Sequence, residues 1–344
     1  MTARRYRGSL AVWTLLIAYA SLYPLLPMRL PSWDSVLGFF IRPRYVVEFD
    51  VWVNVVAYLP LGAFACLYFG ERMPRTRAIA RAIEYAGLLS VAMEALQLFV
   101  PNRVSSIYDV LANAVGALAG ALVLASPLVT RPLGELRARV VIPGRWGDAG
   151  LVLVALWILA QLNPALPFFG AGNIVGGDDA VNGLAFLEWA PVALGVCGFG
   201  LFISAFLDAG HGCLRVTLVL LSAALWLKFA AASLMLQPSF TAEWAGIGRF
   251  AGLVVGIAAL VPLRKLPRAG RIYVAILMVL AGALFTKIFG AYSALDDFLR
   301  VFRWPHGQLA NFATLTRFLH ELWPFAALTY LIAVFLESRR ARVG

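Results

Sequence analysis

The chain has 344 residues, of which 61% are hydrophobic and 14% charged, and its formal net charge is +11. Soluble domains carry roughly a quarter charged residues, so this composition excludes a water-facing globular protein. The positive charge is not evidence for nucleic-acid binding, because Lys and Arg collect beside apolar blocks, where they would meet anionic lipid. We therefore expect membrane lipids as partners and no nucleic acid.

Apolar residues occur in blocks of roughly 17–25 residues, the length that a helix needs to cross ~30 Å of hydrocarbon. The blocks predict an all-α, polytopic transmembrane helix bundle with about ten spans. In chain order, the predicted spans are residues 9–26, 51–70, 79–100, 107–126, 149–167, 186–207, 214–236, 246–263, 271–291 and 322–337.

Lys and Arg are concentrated in alternate connections between these spans, which sets the predicted orientation. Arg-rich segments precede the first span, occupy residues 72–81, 127–148 and 264–271, and follow the last span. Cytoplasmic segments carry the excess of Lys and Arg in membrane proteins, so both termini are expected on the cytoplasmic side. The expected location is the cytoplasmic (inner) membrane, with the chain crossing it many times.

A polar, Arg-rich segment at residues 127–148, which contains Pro132, Pro143 and Gly144, divides the chain. Pro and Gly interrupt regular structure, so this segment is predicted to be a cytoplasmic linker. Residues 1–126 would then form a four-helix transmembrane unit, and residues 149–344 a six-helix transmembrane unit.

Polar residues inside the apolar blocks carry most of the functional signal. Ionisable groups in lipid are costly and usually face a bundle interior, a partner or a wet cavity. Residues three or four positions apart share one face of a helix. Three such pairs occur in the second, third and fourth predicted spans: Asp50 with Asn54, Glu94 with Gln97, and Asp109 with Asn113. With the predicted orientation, the pairs converge with Arg103 near the outer membrane face, where we predict a ligand-binding site.

Two glycines extend the polar stripe of the fourth span. Gly116 and Gly120 follow Asp109 and Asn113 at helical spacing and form a Gly-xxx-Gly surface. Small residues at this spacing let two helix backbones approach closely, so we predict a packing role for both glycines. The polar pairs also have a structural interpretation, as a hydrogen-bond and ion-pair network that holds three helices together.

The same residues resemble the signature of the VanZ-like family. Residues 94–97 match its E-x-x-Q, Arg103 matches its Arg, and residues 109–116 match its D-x-x-x-N-x-x-G. Residues 50–54 and 59–62 are similar to the family's first block, and residues 21–24 resemble the end of its first helix. The likeness covers roughly residues 10–125 and leaves the second half of the chain without a family.

The resemblance implies a membrane protein of the cell envelope, in a family without an established reaction. The namesake of the family is linked to low-level resistance to the glycopeptide teicoplanin, and other members occur in surface-polysaccharide contexts. A lipid-linked glycan or a cell-wall precursor is therefore the expected partner.

Charged residues recur inside the apolar blocks of the second half. Lys228, Arg249 and Lys287 fall in the outer halves of their predicted spans, and Glu188 is a candidate partner near the same face. Cations there would bind a phosphate or an anionic glycan. Snorkelling to the interface or ion pairing explains them equally well, so they are secondary site candidates.

Two classes of function remain open. The first is a non-catalytic or transport-like protein that binds a lipid-linked, glycan or anionic head group, with proton-coupled transport as a variant. In it, Glu94 or Asp109 titrates or contacts a cation, Arg103 contacts an anion, and the amides orient the ligand. The second is a membrane glycosyltransferase-like enzyme acting on undecaprenyl-linked sugars, for which Glu48 and Asp50 form an acidic pair.

The longest predicted outer segments are residues 27–50 and 292–321, which leave no sizeable outer domain and favour the binding protein over the enzyme. The sequence contains no Walker A motif, dinucleotide fingerprint or HExxH motif. Its three cysteines have no metal-type spacing. We therefore expect no cofactor and no metal.

Overall fold

The structure is a computed structural model, and it describes residues 6–23, 27–40, 48–100, 105–169, 189–208, 212–237, 247–289, 301–303 and 307–343. Within these ranges every regular element is a helix, and β-type pairing is confined to two isolated bridges, Val141 with Leu207 and Leu236 with Phe302. The all-α prediction is confirmed for the described residues.

Long helices occupy the apolar blocks, and shorter helices occur in the connections. In chain order they are α1 (Arg7–Leu22), α2 (Trp33–Gly38), α3 (Glu48–Gly70), α4 (Arg75–Gln97), α5 (Ile107–Ala119, continued by a π-helical turn over Gly120–Leu124), α6 (Pro127–Val140), α7 (Arg145–Gln161), α8 (Trp189–Ser204), α9 (Cys213–Met235), α10 (Ile247–Leu263), α11 (Arg268–Phe289) and α12 (Gly307–Val343).

Each predicted span overlaps one of these helices. Among the described residues, five helical stretches are long and apolar enough to cross a membrane, and they lie in α3, α5 with its π-helical turn, α9, α11 and α12. The apolar parts of α1, α8 and α10 are shorter. The length and apolar character of these helices thus identify the chain as a multi-pass membrane protein. The count of ten spans and the cytoplasmic position of both termini stay predictions.

Three connections contain more helix than the sequence indicated. The short α2 lies inside the predicted outer segment 27–50, and two longer additions occur elsewhere. Residues 127–140, inside the predicted linker, form α6, and α12 begins at Gly307, inside a segment predicted to be an outer loop. In both of these longer helices, polar residues interrupt the run of apolar residues from which spans were predicted. In α6, leucines recur at 128, 133 and 136 and remain exposed. In α12, Leu309 and Ala313 are four residues apart and buried, and the polar residues Asn311, Thr314 and Thr316 are buried beside them.

The contacts divide the chain into two compact units. Unit 1 comprises Met1–Leu136 and His306–Leu315, and unit 2 comprises Arg137–Pro305 and Thr316–Gly344. We describe each unit by itself. The predicted division into a four-helix and a six-helix unit stays a prediction.

Unit 1 is built on close contacts between α3, α4 and α5. A Cβ atom added at Gly116 would overlap the carbonyl oxygen of Val55, and one added at Gly120 would overlap that of Leu59. From the other side, a Cβ at Gly62 would overlap the carbonyl oxygen of Ala117. These contacts bring the backbones of α3 and α5 together. From Arg75 to Ser90, the buried residues of α4 are likewise small: Ala78, Ala82, Ala86 and Ser90.

Unit 2 has an aromatic core instead. Phe199 and Phe202 of α8 are fully buried, and their rings pack against Trp323 of α12. Helices α7 and α12 are antiparallel, because successive bonds join later residues of one to earlier residues of the other. Trp323 Nε1 donates to the carbonyl of Leu153 at 2.8 Å, and Tyr330 Oη donates to that of Trp146 at 2.9 Å.

Candidate functional site

The first residues of α5 are held against the end of α4. Ser106 is the N-cap of α5, and its hydroxyl accepts a hydrogen bond from the backbone N–H of Tyr108 at 3.2 Å. The carboxylate of Glu94, which is 3% exposed, accepts the backbone N–H of Ser106 at 3.0 Å. The hydroxyl of Ser105 donates to the backbone carbonyl of Glu94 at 2.8 Å. Glu94 therefore fixes the position at which α5 begins.

A second contact joins α5 to α3 through side chains. Asn54 Nδ2 donates to Asp109 Oδ1 at 2.8 Å, and the carboxyl of Asp50 lies close enough to Asp109 to interact with it electrostatically. Asp109 stands in the first turn of α5, where a negative charge is favoured by the helix dipole. Two carboxyls and one carboxamide thus lie together at the start of these two helices.

The third group lies deeper, among α3, α4 and α5. Asn113 Nδ2 donates to the hydroxyl of Ser90 at 2.8 Å, while Asn113 Oδ1 is buried without a hydrogen-bond partner. Tyr58 Oη lies towards Ser90 and within electrostatic range of Glu94, but it makes no hydrogen bond of normal geometry. Two buried polar atoms, an acceptor and a hydroxyl, are therefore unsatisfied here. We call Asp50, Asn54, Tyr58, Ser90, Glu94, Asp109 and Asn113 the polar cluster.

One residue predicted for this site is placed differently. Gln97 is buried, and its Nε2 donates to the carbonyl oxygen of Ser21 at 2.9 Å, near the end of α1. It therefore ties α4 to α1 rather than joining the polar cluster. Arg103 lies outside the described residues.

Sequence reasoning missed two members of the polar cluster, Tyr58 and Ser90. Their spacing was available as a signal: Tyr58 follows Asn54 by four residues, and Ser90 precedes Glu94 by four. Both are easily overlooked because a single hydroxyl in an apolar span is common. Their importance comes from what they face, which depends on the packing of the three helices.

The polar cluster offers carboxylates, carboxamides and hydroxyls, which suit a ligand rich in hydroxyl groups. Among the described residues, no group of three His, Cys, Asp or Glu side chains is placed to hold a metal ion. Of the acidic pair that an enzyme would use, the structure describes the side chain of Asp50. Glu48 is the first residue of α3, and its side chain is not among the described ones.

The secondary candidates belong to unit 2. Lys228 of α9 is 1% exposed, and its Nζ donates to the carbonyl oxygen of Asn163 at 2.8 Å and to Gln161 Oε1 at 3.4 Å. Arg249 of α10 lies within electrostatic range of this ammonium group. The side chain of Lys287, in α11, and the whole of Glu188 lie outside the described residues.

Comparison with known proteins assigns the first part of the chain. Residues 10–129 match the family model described as VanZ-LLP1: VanZ/LLP1. No curated protein matches the chain, and neither does any solved structure. The matched range contains every member of the polar cluster, and the rest of the chain carries no assignment. The resemblance to the VanZ-like family is thus confirmed for residues 10–129, and this chain is a membrane protein that matches the VanZ/LLP1 family model over that range.

Proposed function

We propose that the VanZ-like region binds the head group of a lipid-linked glycan at the outer leaflet, through the polar cluster. The observation that carries the proposal is the set of polar groups, buried or half-buried, that lie together on three apolar helices. It combines three carboxyls (Asp50, Glu94 and Asp109) with two carboxamides (Asn54 and Asn113). Carboxylates and amide oxygens accept hydrogen bonds from sugar hydroxyls, whereas a bare phosphate would be repelled by the acidic groups.

A purely structural role accounts for only part of the arrangement. The bonds from Asn54 to Asp109 and from Asn113 to Ser90 do link helices. Such bonds contribute on average only ~0.6 kcal/mol in membranes. An unsatisfied buried polar group costs about 1–3 kcal/mol, so leaving Tyr58 Oη and Asn113 Oδ1 without partners offsets that gain. A ligand or solvent in contact with these two atoms would remove the cost.

Proton-coupled transport of the same ligand is a second candidate, because the buried carboxyl of Glu94 and the paired carboxyl of Asp109 lie on adjacent helices. The two candidates differ in one measurable respect. Flipping or uptake of the glycan lipid would collapse with the proton gradient in a transporter, whereas binding alone would not depend on the gradient.

The test uses substitutions that keep the geometry and remove a charge. Glu94→Gln retains an oxygen that accepts the N–H of Ser106, and Asp109→Asn retains one that accepts from Asn54. The matched control is Glu84→Gln, the same substitution on the same helix, at an exposed residue paired with Arg81 at 2.6 Å. Each variant is returned to a deletion strain, with membrane abundance, surface polysaccharide and glycopeptide sensitivity measured together.

We expect Glu94→Gln and Asp109→Asn to reach wild-type abundance and to lose the surface phenotype, while Glu84→Gln behaves as the wild type. Binding of a lipid-linked disaccharide to the purified protein should fall in parallel. Loss of abundance in both variants, or an unchanged phenotype at full abundance, would show that the polar cluster only holds helices together.

A further inference from the structure

Unit 2 contains a pocket with several aromatic residues in its lining. It lies among α7, α8, α11, α12 and the segment that follows α7. Its aromatic lining consists of Trp157, Phe168, Phe169, Trp323 and Phe325. His320 and Glu321 add polar groups, so the lining also has a polar part. Pockets of this composition suit an apolar chain that carries a polar end.

A buried cation lies one helical turn from this pocket. Gln161, which contacts Lys228, follows the pocket residue Trp157 by four positions on α7. Thr316, whose hydroxyl accepts from Asn163 Nδ2 at 2.8 Å, precedes the pocket residue His320 by four positions on α12. Four residues of helix rise ~6 Å. Because α7 and α12 are antiparallel, both offsets point to the same end of the pocket.

Among the described residues, no carboxylate forms an ion pair with Lys228. Its ammonium group is held by one backbone carbonyl and one carboxamide, and the charged group described near it is Arg249, also a cation. Gln161 is fully buried, and its Nε2 has no hydrogen-bond partner. A buried charge is strongly destabilising unless an opposite charge compensates it. Spare N–H donors beside a buried cation are what an anionic group requires.

We propose that unit 2 holds a second lipid site, distinct from the polar cluster. In it the aromatic pocket takes the apolar chain of an amphiphile, and Lys228 with Gln161 takes the phosphate head. The chain fits the aromatic lining whether it is isoprenoid or acyl, so the shared chemistry is a phosphate monoester on a long apolar chain.

Two substitutions test the binding of the apolar tail and of the phosphate head separately. Gly282 lines the pocket, and a Cβ atom added there would meet only the Cβ of Leu194, at 3.8 Å, so Gly282→Leu adds volume without a backbone clash. Gly270→Leu is its matched control on α11, away from the pocket and with similar room. Lys228→Met removes the charge at nearly constant volume, and Lys265→Met, at an exposed residue, is its control.

The experiment uses the full-length protein in nanodiscs and photoactivatable lipids that carry a diazirine on the apolar tail. The residues that the diazirine labels are identified by mass spectrometry. The probes are geranylgeranyl phosphate and dioleoyl phosphatidic acid, with geranylgeraniol and dioleoylglycerol as uncharged counterparts. We expect phosphate probes to label the pocket segments of α11 and α12. Lys228→Met should reduce that labelling roughly tenfold, to the level of the uncharged probes, the factor expected for ~1.4 kcal/mol. Gly282→Leu should reduce labelling by all probes, and both controls should leave it unchanged.

Comparing labelling by geranylgeranyl phosphate with labelling by dioleoyl phosphatidic acid shows which kind of phosphate-bearing lipid the site prefers. Equal labelling by phosphate and uncharged probes, or undiminished labelling of Lys228→Met, would overturn the proposal. So would labelling confined to residues outside the pocket. The labelling is mapped to residues of unit 2, whereas the polar cluster is tested by a surface phenotype. The two proposals can therefore fail or succeed independently.

Discussion

The two units bury polar groups in opposite ways. In unit 1, small residues bring α3 and α5 so close that short side chains such as Asn54 and Asp109 bond directly. In unit 2, bulky aromatic rings hold the helices, and the long side chain of Lys228 reaches a backbone carbonyl beyond the end of α7. Helices in a membrane associate by packing and hydrogen bonds rather than by the hydrophobic effect. The comparison shows that backbone separation decides which polar side chains can meet.

The largest effect is expected from separating the helices of unit 1. Gly116→Leu places a side chain where the carbonyl of Val55 lies, so α3 and α5 must move apart. We expect a loss of more than ~4 kcal/mol, the range of severe packing defects, and little protein in the membrane. Gly87→Leu, on α4 with nothing within 4 Å of the added Cβ, is the control and should accumulate normally. Equal abundance of both variants would contradict the close approach of α3 and α5.

The aromatic core of unit 2 should respond next. Phe199 is fully buried against Trp157 and Trp323, so Phe199→Ala leaves a cavity. The expected cost in the free energy of unfolding is about 3–5 kcal/mol, measured by titration with SDS in mixed micelles. Trp226→Ala, at a ring that is 72% exposed, should change it by far less. Similar losses at the two positions would argue against an aromatic core.

A smaller effect is expected inside the polar cluster. Ser90→Ala removes the acceptor of Asn113 Nδ2 and leaves a second atom of that amide unsatisfied. We expect a loss of about 1–3 kcal/mol in the same unfolding measurement. Ser233→Ala is the control, because the Ser233 hydroxyl is exposed and bonds only within α9. If Ser90→Ala is as stable as the control, Asn113 finds another partner and the cluster is less constrained than described.

The smallest effect concerns the surface of α4. Arg81 and Glu84 form an ion pair three residues apart, with side chains 59% and 52% exposed. Exposed pairs contribute roughly 0–1 kcal/mol, so Arg81→Ala should shift the unfolding midpoint barely or not at all, and less at high salt. A shift as large as that of Ser90→Ala would mean that this face of α4 is buried in the native assembly.

The sequence by itself determined the class of the fold and the positions of its long apolar helices. Length and hydropathy of the blocks suffice for this, because each apolar helix must satisfy its own backbone in lipid. It also placed Asp50 with Asn54, and Asp109 with Asn113, on single helical faces, and it carried the family motif of residues 94–116. It did not reveal α6 or the first turns of α12, where polar residues interrupt the apolar pattern.

Only the tertiary structure decided which faces meet. Glycine positions set the distance between α3 and α5, and that distance allows Asn54 to reach Asp109. Gln97, on α4, contacts α1 instead. The contacts of Lys228 with Gln161 and Asn163 join residues more than sixty positions apart, a separation that helical periodicity does not encode. Periodicity fixes the side of a helix on which a residue lies, whereas its partner depends on packing against other helices.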